Sequence, residues 1–204
     1  MTVAERVSAA SRAKKMRLFM ELMRPSPQTS VLDVGVDDIG YGETGEWATA
    51  NFFEELYPWQ ARVTAVGTHE GVRFRSRYPE AAFVQADGCD LPFADGEFDV
   101  CFSNAVVEHV GDRERQRRFV SEAVRVARRV FVTTPNRRFP IEVHTRIPFV
   151  HWLPRAGAVR AYELLGKGWA KELELLSPSE FRSLFPEPDH VRIVGLFPTL
   201  VAVV

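Results

Sequence analysis

Polar side chains and glycines stand at the ends of four short apolar runs, and they are the first residues in this sequence that could bind a ligand. They are Asp33 and Gly35, Gly67 and His69, Asp87 and Gly88, and Ser103 and Asn104. In an open parallel sheet, ligands bind beyond the carboxyl ends of the strands. If the four runs are parallel strands, we expect these residues to share one ligand-binding edge.

A second group of candidates consists of ionisable side chains that follow the later strands. His109 comes shortly after Asn104, and Glu142 and His144 lie in the segment after Pro135. Such groups can act as general bases that remove a proton from an acceptor hydroxyl. A lone histidine is more often a hydrogen-bonded structural group, so both interpretations stay open. The five histidines and two cysteines show no metal-ligand spacing, and we predict no metal site.

The elements that must position these residues alternate between strands and helices. Apolar runs typical of strands cover residues 30–34, 62–66, 82–85, 98–103 and 130–134. Apolar residues at helical spacing cover residues 47–56, 72–78 and 113–128. Strands joined by helices form right-handed crossovers, which predicts an α/β fold with a parallel sheet. Two further β-rich runs, residues 191–195 and 199–204, predict a hairpin on the sheet edge.

The segments outside this alternation have their own signals. The first 23 residues are predicted to form a helix that lies over the domain, stopped by Pro25. Residues 135–176 are rich in Pro, Trp, His and Arg, and we interpret them as an insertion that covers the acceptor site. The alternative is a packing segment that only covers the sheet end. Ser177, with Pro178 and Glu180 after it, predicts a capped helix start.

Length and composition favour one cytoplasmic domain over residues 1–204. Hydrophobic residues make up 46% of the 204 residues, enough for a single core. The net charge of -1 offers no field for capturing a polyanion, so we do not expect nucleic acid as a partner. We find no apolar run of bilayer length and no export signal. The two cysteines form no disulfide framework, which fits a reducing compartment.

Three stretches resemble the class I S-adenosylmethionine-dependent methyltransferases, in particular the small-molecule "type 11" group. They are VLDVGVDD at residues 31–38, QADGCDLPFADGEFDVCFSNAVVEHV at 85–110, and VFVTTPNRRFPIEVHTRIPFVHWLP at 130–154. The resemblance implies a doubly wound, mostly parallel, seven-stranded Rossmann-like sheet with a C-terminal antiparallel hairpin. It also implies S-adenosylmethionine as the cofactor.

The resemblance assigns roles to the residues at the strand ends. Asp33 and Gly35 match the first motif, near the amino-acid end of the cofactor. Asp87 matches the acid that accepts a hydrogen bond from the adenine amino group, and Gly88 would offer its backbone N–H to the ring. Ser103 and Asn104 would meet the methionine portion.

The sequence departs from the family pattern at two places. A longer, more acidic loop with Asp37 and Asp38 replaces the usual close-set glycines after Gly35. Gly67 stands where many relatives carry an acid that holds the ribose hydroxyls, and His69 or Glu70 could substitute for it. The resemblance still predicts methyl transfer to a small-molecule, sugar or lipid-linked acceptor. The alternative is a catalytically inactive binding or regulatory module, and a nucleotide-binding oxidoreductase is weaker because VGVDDIG fits its glycine fingerprint poorly.

Overall fold

Seven strands form one mixed sheet in the computed structural model, which describes residues 3–38, 51–196 and 198–204. The strands are β1 (Val31–Val34), β2 (Val63–Gly67), β3 (Ala82–Gln85), β4 (Val100–Asn104), β5 (Val130–Pro135), β6 (Arg192–Leu196) and β7 (Thr199–Val203). Their order is β3-β2-β1-β4-β5-β7-β6. Strand β1 pairs in parallel with β2 and β4, whereas β6 and β7 are antiparallel. The predicted α/β class and the edge hairpin are therefore confirmed.

The helices follow the predicted alternation with small shifts at their ends. They are α1 (Val3–Met23), α2 (Phe52–Leu56), α3 (Val72–Arg77), α4 (Arg113–Val126), α5 (Arg155–Leu164) and α6 (Pro178–Arg182). The helix predicted over residues 47–56 is described only from residue 51 onward, because residues 39–50 lie outside the described part of the chain. Among the described helices, none combines the length and the apolar character that a membrane span requires.

Strand β4 begins two residues later than the apolar pattern predicts. The carboxylate of Asp99 accepts hydrogen bonds from the backbone N–H and the hydroxyl of Ser30, at 2.9 and 3.1 Å. Phe98 makes only an isolated bridge with Ala127. Asp99 therefore anchors the start of β4 to the residue before β1.

The register of the first three strands determines which residues share an edge. Val34 lies opposite Val66, and Gly67 lies opposite Gln85. Since the pairs are parallel, the residues that follow β1, β2 and β3 emerge at the same side of the sheet. This places Gly35, Gly67 and Asp87 at neighbouring strand ends.

The chain separates into two compact units. The first consists of Met1–Ser103 and Glu122–Phe131, and the second of Asn104–Ser121 and Val132–Val204. In the first unit, Phe19 of α1 makes edge contacts with Phe53, Phe102 and Phe131, with ring centroids 5.1 to 5.5 Å apart. This aromatic cluster fixes α1 onto the strands, as its apolar spacing predicted.

The second unit has a small core of its own within residues 135–176. Buried Ala158 and Tyr162 of α5 pack with Val150 and Ala170, which lie on short 3-10 helices (Val150–Trp152 and Gly168–Glu172). The predicted capping box at Ser177 is present, with Glu180 and Ser177 each bonding the other's backbone N–H. Whether residues 135–176 cover an acceptor remains a prediction.

Candidate functional site

The loop after β1 turns sharply at Gly35, where φ is 100°. The backbone N–H groups of Gly35 and Val36 both donate to the carbonyl of Val66, at 2.8 and 3.0 Å. Glycine adopts such a φ without a steric penalty, so Gly35 permits this close approach of two strand ends. Asn51 then holds Asp37 by two hydrogen bonds to its backbone, at 2.9 and 2.8 Å. The remaining glycines of the loop lie outside the described residues.

The second acid of this loop, Asp38, caps a helix. Its carboxylate accepts the backbone N–H groups of Arg73 and Phe74, at 2.8 and 2.9 Å, at the start of α3. The hydrogen bond from Phe74 is the main reason that the pKa of Asp38 is lowered. The acidic character of the loop thus has a structural role that the sequence did not reveal.

Gly67 leaves no room for the ribose-binding acid of the family. A Cβ at this position would lie 2.9 Å from the His69 ring and 2.9 Å from the Val36 carbonyl. The His69 Nδ1 accepts the N–H of Gly71 at 3.1 Å, so Nε2 carries the proton that it donates to the Val36 carbonyl at 3.0 Å. Both ring nitrogens of His69 are therefore engaged within the protein, whereas Glu70 is exposed.

Asp87 lies exposed just beyond β3, where the resemblance places the adenine contact. One carboxylate oxygen accepts the backbone N–H of Cys89 at 2.9 Å, and its carbonyl accepts the N–H of Asp90 at 2.9 Å. These bonds form a tight turn that contains Gly88. The turn fixes the direction of the Asp87 side chain without burying it.

Arg125 holds the segment that follows this turn. Its guanidinium donates to the carbonyls of Leu91 and Phe93, at 3.0 and 2.7 Å. Glu122 accepts the Leu91 N–H at 2.8 Å and also pairs with Arg125 at 2.7 Å. Arg125 is therefore a positioning residue for residues 91–93.

Asp33 and Ser103, two predicted cofactor contacts, are buried side chains. Burial and the neighbouring charge of Glu54 raise the pKa of Asp33 well above its usual value, and burial raises the pKa of Glu54 to about 7. The Ser103 hydroxyl donates to the carbonyl of Val34 at 2.9 Å, which ties β4 to β1. Their roles toward a cofactor remain predictions, whereas their structural roles are visible.

In the second unit, Asn104 ends β4 beside the next strand. Its side-chain oxygen accepts the Thr133 hydroxyl at 2.9 Å, and the Ala105 N–H donates to the Thr133 carbonyl at 3.0 Å. Ala105 has a φ of 56°, which is uncommon for a residue with a Cβ. Such strained positions concentrate at functional sites, and this one leads directly into the residues of the next group.

The predicted residues His109, Glu142 and His144 meet in one cluster together with Glu108. His144 Nδ1 lies 2.8 Å from Glu142, whose carboxylate also accepts the backbone N–H groups of His144 and Thr145, at 3.0 and 2.6 Å. Glu108 accepts the Thr134 hydroxyl at 3.0 Å, on the carboxylate oxygen that faces away from the histidines. Both carboxyl groups are fully enclosed, with exposed fractions of 0% and 1%.

Three groups of this cluster, His109, Glu142 and His144, have shifted pKa values. Burial opposes the charge on Glu142, yet the hydrogen bonds from His144 and Thr145 outweigh it and lower the pKa of Glu142 to about 2. Burial also opposes the charge on His144, but Glu142 and Glu108 raise its pKa above the usual value. Burial and the charge of His144 lower the pKa of His109 to about 4. At neutral pH, His109 is therefore the neutral imidazole of the pair.

Glu108 is the member of the cluster that the sequence reasoning missed. Ligand-type atoms of Glu108, His109 and His144 all lie within 4.8 Å of one another. The available signal was the Glu-His pair after one strand and the Glu-Val-His triplet after another. Only the sheet order, which sets β4 beside β5, shows that these segments follow neighbouring strands.

Comparison with known proteins gives one family match and several partial relatives. A family model described as a methyltransferase domain matches residues 38–130. A probable S-adenosylmethionine-dependent methyltransferase of Mycobacterium tuberculosis is 44% identical over 66 residues, which is 31% of this chain and 23% of that protein. An uncharacterized methyltransferase of Mycolicibacterium gilvum is 31% identical over 116 residues, covering 53% of this chain and 42% of that protein. The chain thus spans less than half the length of these curated relatives.

Solved structures agree with the chain over most of its length. An N-methyltransferase from Bradyrhizobium japonicum, solved with S-adenosyl-L-homocysteine, matches with a TM-score of 0.58 and 13% identity, over 94% of this chain and 85% of that chain. The YcgJ protein from Bacillus subtilis matches with a TM-score of 0.57 and 18% identity, over 90% of this chain and 71% of that chain. At such low identity these likenesses show the fold alone. Residues 38–130 thus match a methyltransferase domain, and the fold over most of the chain is that of Rossmann-like methyltransferases.

Proposed function

We propose that this protein transfers a methyl group from S-adenosylmethionine to a small-molecule, sugar or lipid-linked acceptor. The observation that carries the proposal is the parallel register that sets Gly35, Gly67 and Asp87 at adjoining strand ends. Methyl transfer from a sulfonium is an in-line displacement that needs a held donor, an aligned acceptor and little water. The matched family and the named relatives support the same reaction.

The first unit supplies the groups that would hold the cofactor. Asp87 would accept a hydrogen bond from the adenine amino group, while residues 91–93 offer apolar surface that Arg125 holds in place. The turn at Gly35, which matches the first motif of the resemblance, would lie beside the amino-acid portion of the cofactor. Exposed Glu70, three residues after Gly67, could bind the ribose hydroxyls in place of the missing acid.

The second unit supplies the groups that would handle the acceptor. His109 is half exposed and neutral at pH 7, so it can accept a proton from an acceptor hydroxyl. Glu142 fixes the ring of His144 by a 2.8 Å contact, which makes Glu142 a positioning residue. The acceptor class is open because an already ionised acceptor would need orientation only.

Calorimetric titration with S-adenosylmethionine and S-adenosylhomocysteine tests the proposal. We expect saturable binding by the wild type and binding about tenfold weaker in Asp87→Ala. Asp87→Asn keeps an oxygen for the Cys89 N–H and separates the loss of charge from the loss of the turn. Glu80→Ala, an exposed acid before β3, is the matched control and should bind normally. Absence of binding by the wild type would overturn the proposal.

An inactive binding module is the second candidate, and Gly67 favours it. The ribose acid is missing, and the His69 ring and the Val36 carbonyl occupy the space that a side chain would need. A module that lost the cofactor would show no titration with S-adenosylmethionine. Cofactor binding without transfer to any tested hydroxyl, amine or carbon acceptor would favour a module that kept only recognition.

A further inference from the structure

Three potential metal ligands converge in the second unit. Glu108 Oε1 lies 3.7 Å from His144 Nε2 and 4.0 Å from His109 Nε2. Both separations are longer than a hydrogen bond, which requires about 3.2 Å or less between the heavy atoms. Ligand atoms bound about 2.1 Å from a tetrahedral ion would themselves lie about 3.4 Å apart. The spacing is therefore closer to that of ligands around a common ion than to that of directly bonded partners.

The surrounding hydrogen bonds orient these atoms as a metal site would require. Glu142, which accepts from backbone N–H groups, also holds His144 through Nδ1, and this directs Nε2 toward Glu108. The Thr134 hydroxyl holds the other oxygen of Glu108. Metal-binding histidines commonly donate their second ring nitrogen to a carboxylate, and this contact fixes the ring orientation. Thus two of the three ligands already have their outer partners in place.

The burial and the ligand types of the cluster also favour a metal site. Glu108 is fully enclosed and the His144 side chain is only 17% exposed, whereas the His109 side chain is 45% exposed. A cation at this point would compensate the enclosed carboxylates, and the open side at His109 would let it enter. Two imidazoles and one carboxylate suit first-row transition ions better than Mg²⁺ or Ca²⁺, which prefer oxygen ligands.

We propose that Glu108, His109 and His144 bind one first-row divalent transition-metal ion, with Glu142 and Thr134 as positioning residues. Three protein ligands leave at least one coordination position for water or another oxygen ligand. This site does not depend on cofactor binding, since its ligands and their outer partners stand without a cofactor. An ion bound to His109 Nε2 would exclude this nitrogen as the general base, so the metal site replaces that part of the proposed function.

Metal titration of the chelator-treated, dialysed protein tests the site directly. We expect one equivalent of Zn²⁺ to bind saturably by calorimetry, and Co²⁺ to give the visible absorption bands of a protein-bound ion. His109→Ala should weaken Zn²⁺ binding at least about tenfold, because one of three ligands is lost. His190→Ala is the matched control, since that histidine is exposed and paired with Glu187, and it should leave binding unchanged.

Further variants keep the test decisive if a buried substitution unfolds the protein. Glu108→Gln preserves volume and should also weaken binding, while Thr134→Val should weaken it less because Thr134 only orients Glu108. No saturable Zn²⁺ binding by the wild type, or binding that His109→Ala leaves intact, would overturn the metal site. Metal binding by a protein that fails to bind S-adenosylmethionine would retain this site and refute only the proposed function.

Discussion

A pair of buried acids in the first unit and one buried acid in the second unit have pKa values shifted in opposite directions. In the first unit, Asp33 lies beside Glu54, and burial raises the pKa values of both carboxyl groups. In the second unit, Glu142 is equally enclosed, yet its pKa falls to about 2. The comparison shows that burial alone does not decide the charge of an acid, because the groups that face it matter more.

The hydrogen-bond donors around each acid explain the difference between the pKa values of Glu142 and Glu54. Glu142 receives an imidazole contact and two backbone N–H groups, and these stabilise its charged form. The partner of Glu54 is another acid, so the charged form gains little and the pair retains a proton near neutral pH. Asp33 and Glu54 are accordingly a buried structural pair. Glu142 and His144 instead form an ionic cluster suited to proton or metal chemistry.

The largest loss of stability is expected when Glu142, the acid that accepts several hydrogen bonds, is removed. Glu142→Ala leaves His144 and two backbone N–H groups without their acceptor inside the protein. Breaking a buried charged pair in this way typically costs about 3–5 kcal/mol in the free energy of unfolding. Urea denaturation at pH 7 measures the loss, and Glu142→Gln, which keeps one oxygen, should lose less. Equal stability of wild type and Glu142→Ala would mean that the cluster contributes no net stability.

Replacing Glu54, the acid that lies beside Asp33, should instead raise the free energy of unfolding, by an amount that depends on pH. The pKa of Glu54 is about 7 in the folded protein, against 4.5 for a glutamate in the unfolded chain, so the folded state retains a proton that the unfolded state releases. This contribution is fully present below pH 4.5 and is lost as the pH rises through about 7. Glu54→Gln carries no such titration. Relative to the wild type, the free energy of unfolding of Glu54→Gln should therefore rise by about 1–3 kcal/mol between pH 4.5 and pH 8.

Denaturation series at pH 4.5, 6 and 8 would measure this difference. Glu55→Gln is the matched control, because the neighbouring acid is partly exposed and pairs with Arg77 at 3.1 Å. A stability difference between Glu54→Gln and wild type that stays constant across this range would show that Glu54 is charged throughout.

A partly exposed ion pair provides an intermediate case for the comparison. Arg125→Met removes the partner of Glu122 and the donors to the Leu91 and Phe93 carbonyls. We expect a loss of about 1–2 kcal/mol, because solvent can replace part of these bonds. Weaker S-adenosylmethionine binding should accompany it if residues 91–93 line the adenine site. Arg118→Met, on an exposed position of the same helix, should change neither quantity.

The smallest loss of stability is expected at Asp38, a partly exposed carboxylate that accepts two backbone N–H groups. Asp38→Ala removes these bonds at the start of α3 and should destabilise the protein less than Glu142→Ala does. Asp37→Ala is the control, because the bonds of Asp37 to Asn51 involve only its backbone. Thermal unfolding would detect the difference, and a loss as large as that of Glu142→Ala would contradict the role assigned to burial.

Much of the fold could be predicted because its signals are local. Alternating apolar runs predicted strands at β1 to β7, and the serine, proline and glutamate at residues 177–180 predicted the capped start of α6. Element ends were less certain, as the late start of β4 shows, because Asp99 depends on a contact with Ser30 69 positions away in the chain. Long-range contacts of this kind leave no periodic pattern.

The candidate site was predicted only in part, because the packing of its side chains does not follow from the sequence. His109, Glu142 and His144 were predicted as candidate bases, and the structure brings them together, but the sequence reasoning overlooked Glu108 beside them. Ser103 and Asp33 stood at plausible positions along the chain, yet their side chains are enclosed by neighbouring strands. Whether a strand-end residue faces solvent or a neighbour depends on packing that its own sequence position does not specify.

By itself, the sequence determined the alternation of strands and helices, the turn at Gly35 and the family resemblance, because backbone preference and apolar periodicity act over a few residues. Tertiary structure alone decided that β4 lies beside β5, that the His69 ring and the Val36 carbonyl occupy the space beside Gly67, and that two enclosed acids differ in charge. The reason is that pKa values and ligand geometry depend on distances and desolvation, which exist only once remote segments have packed together.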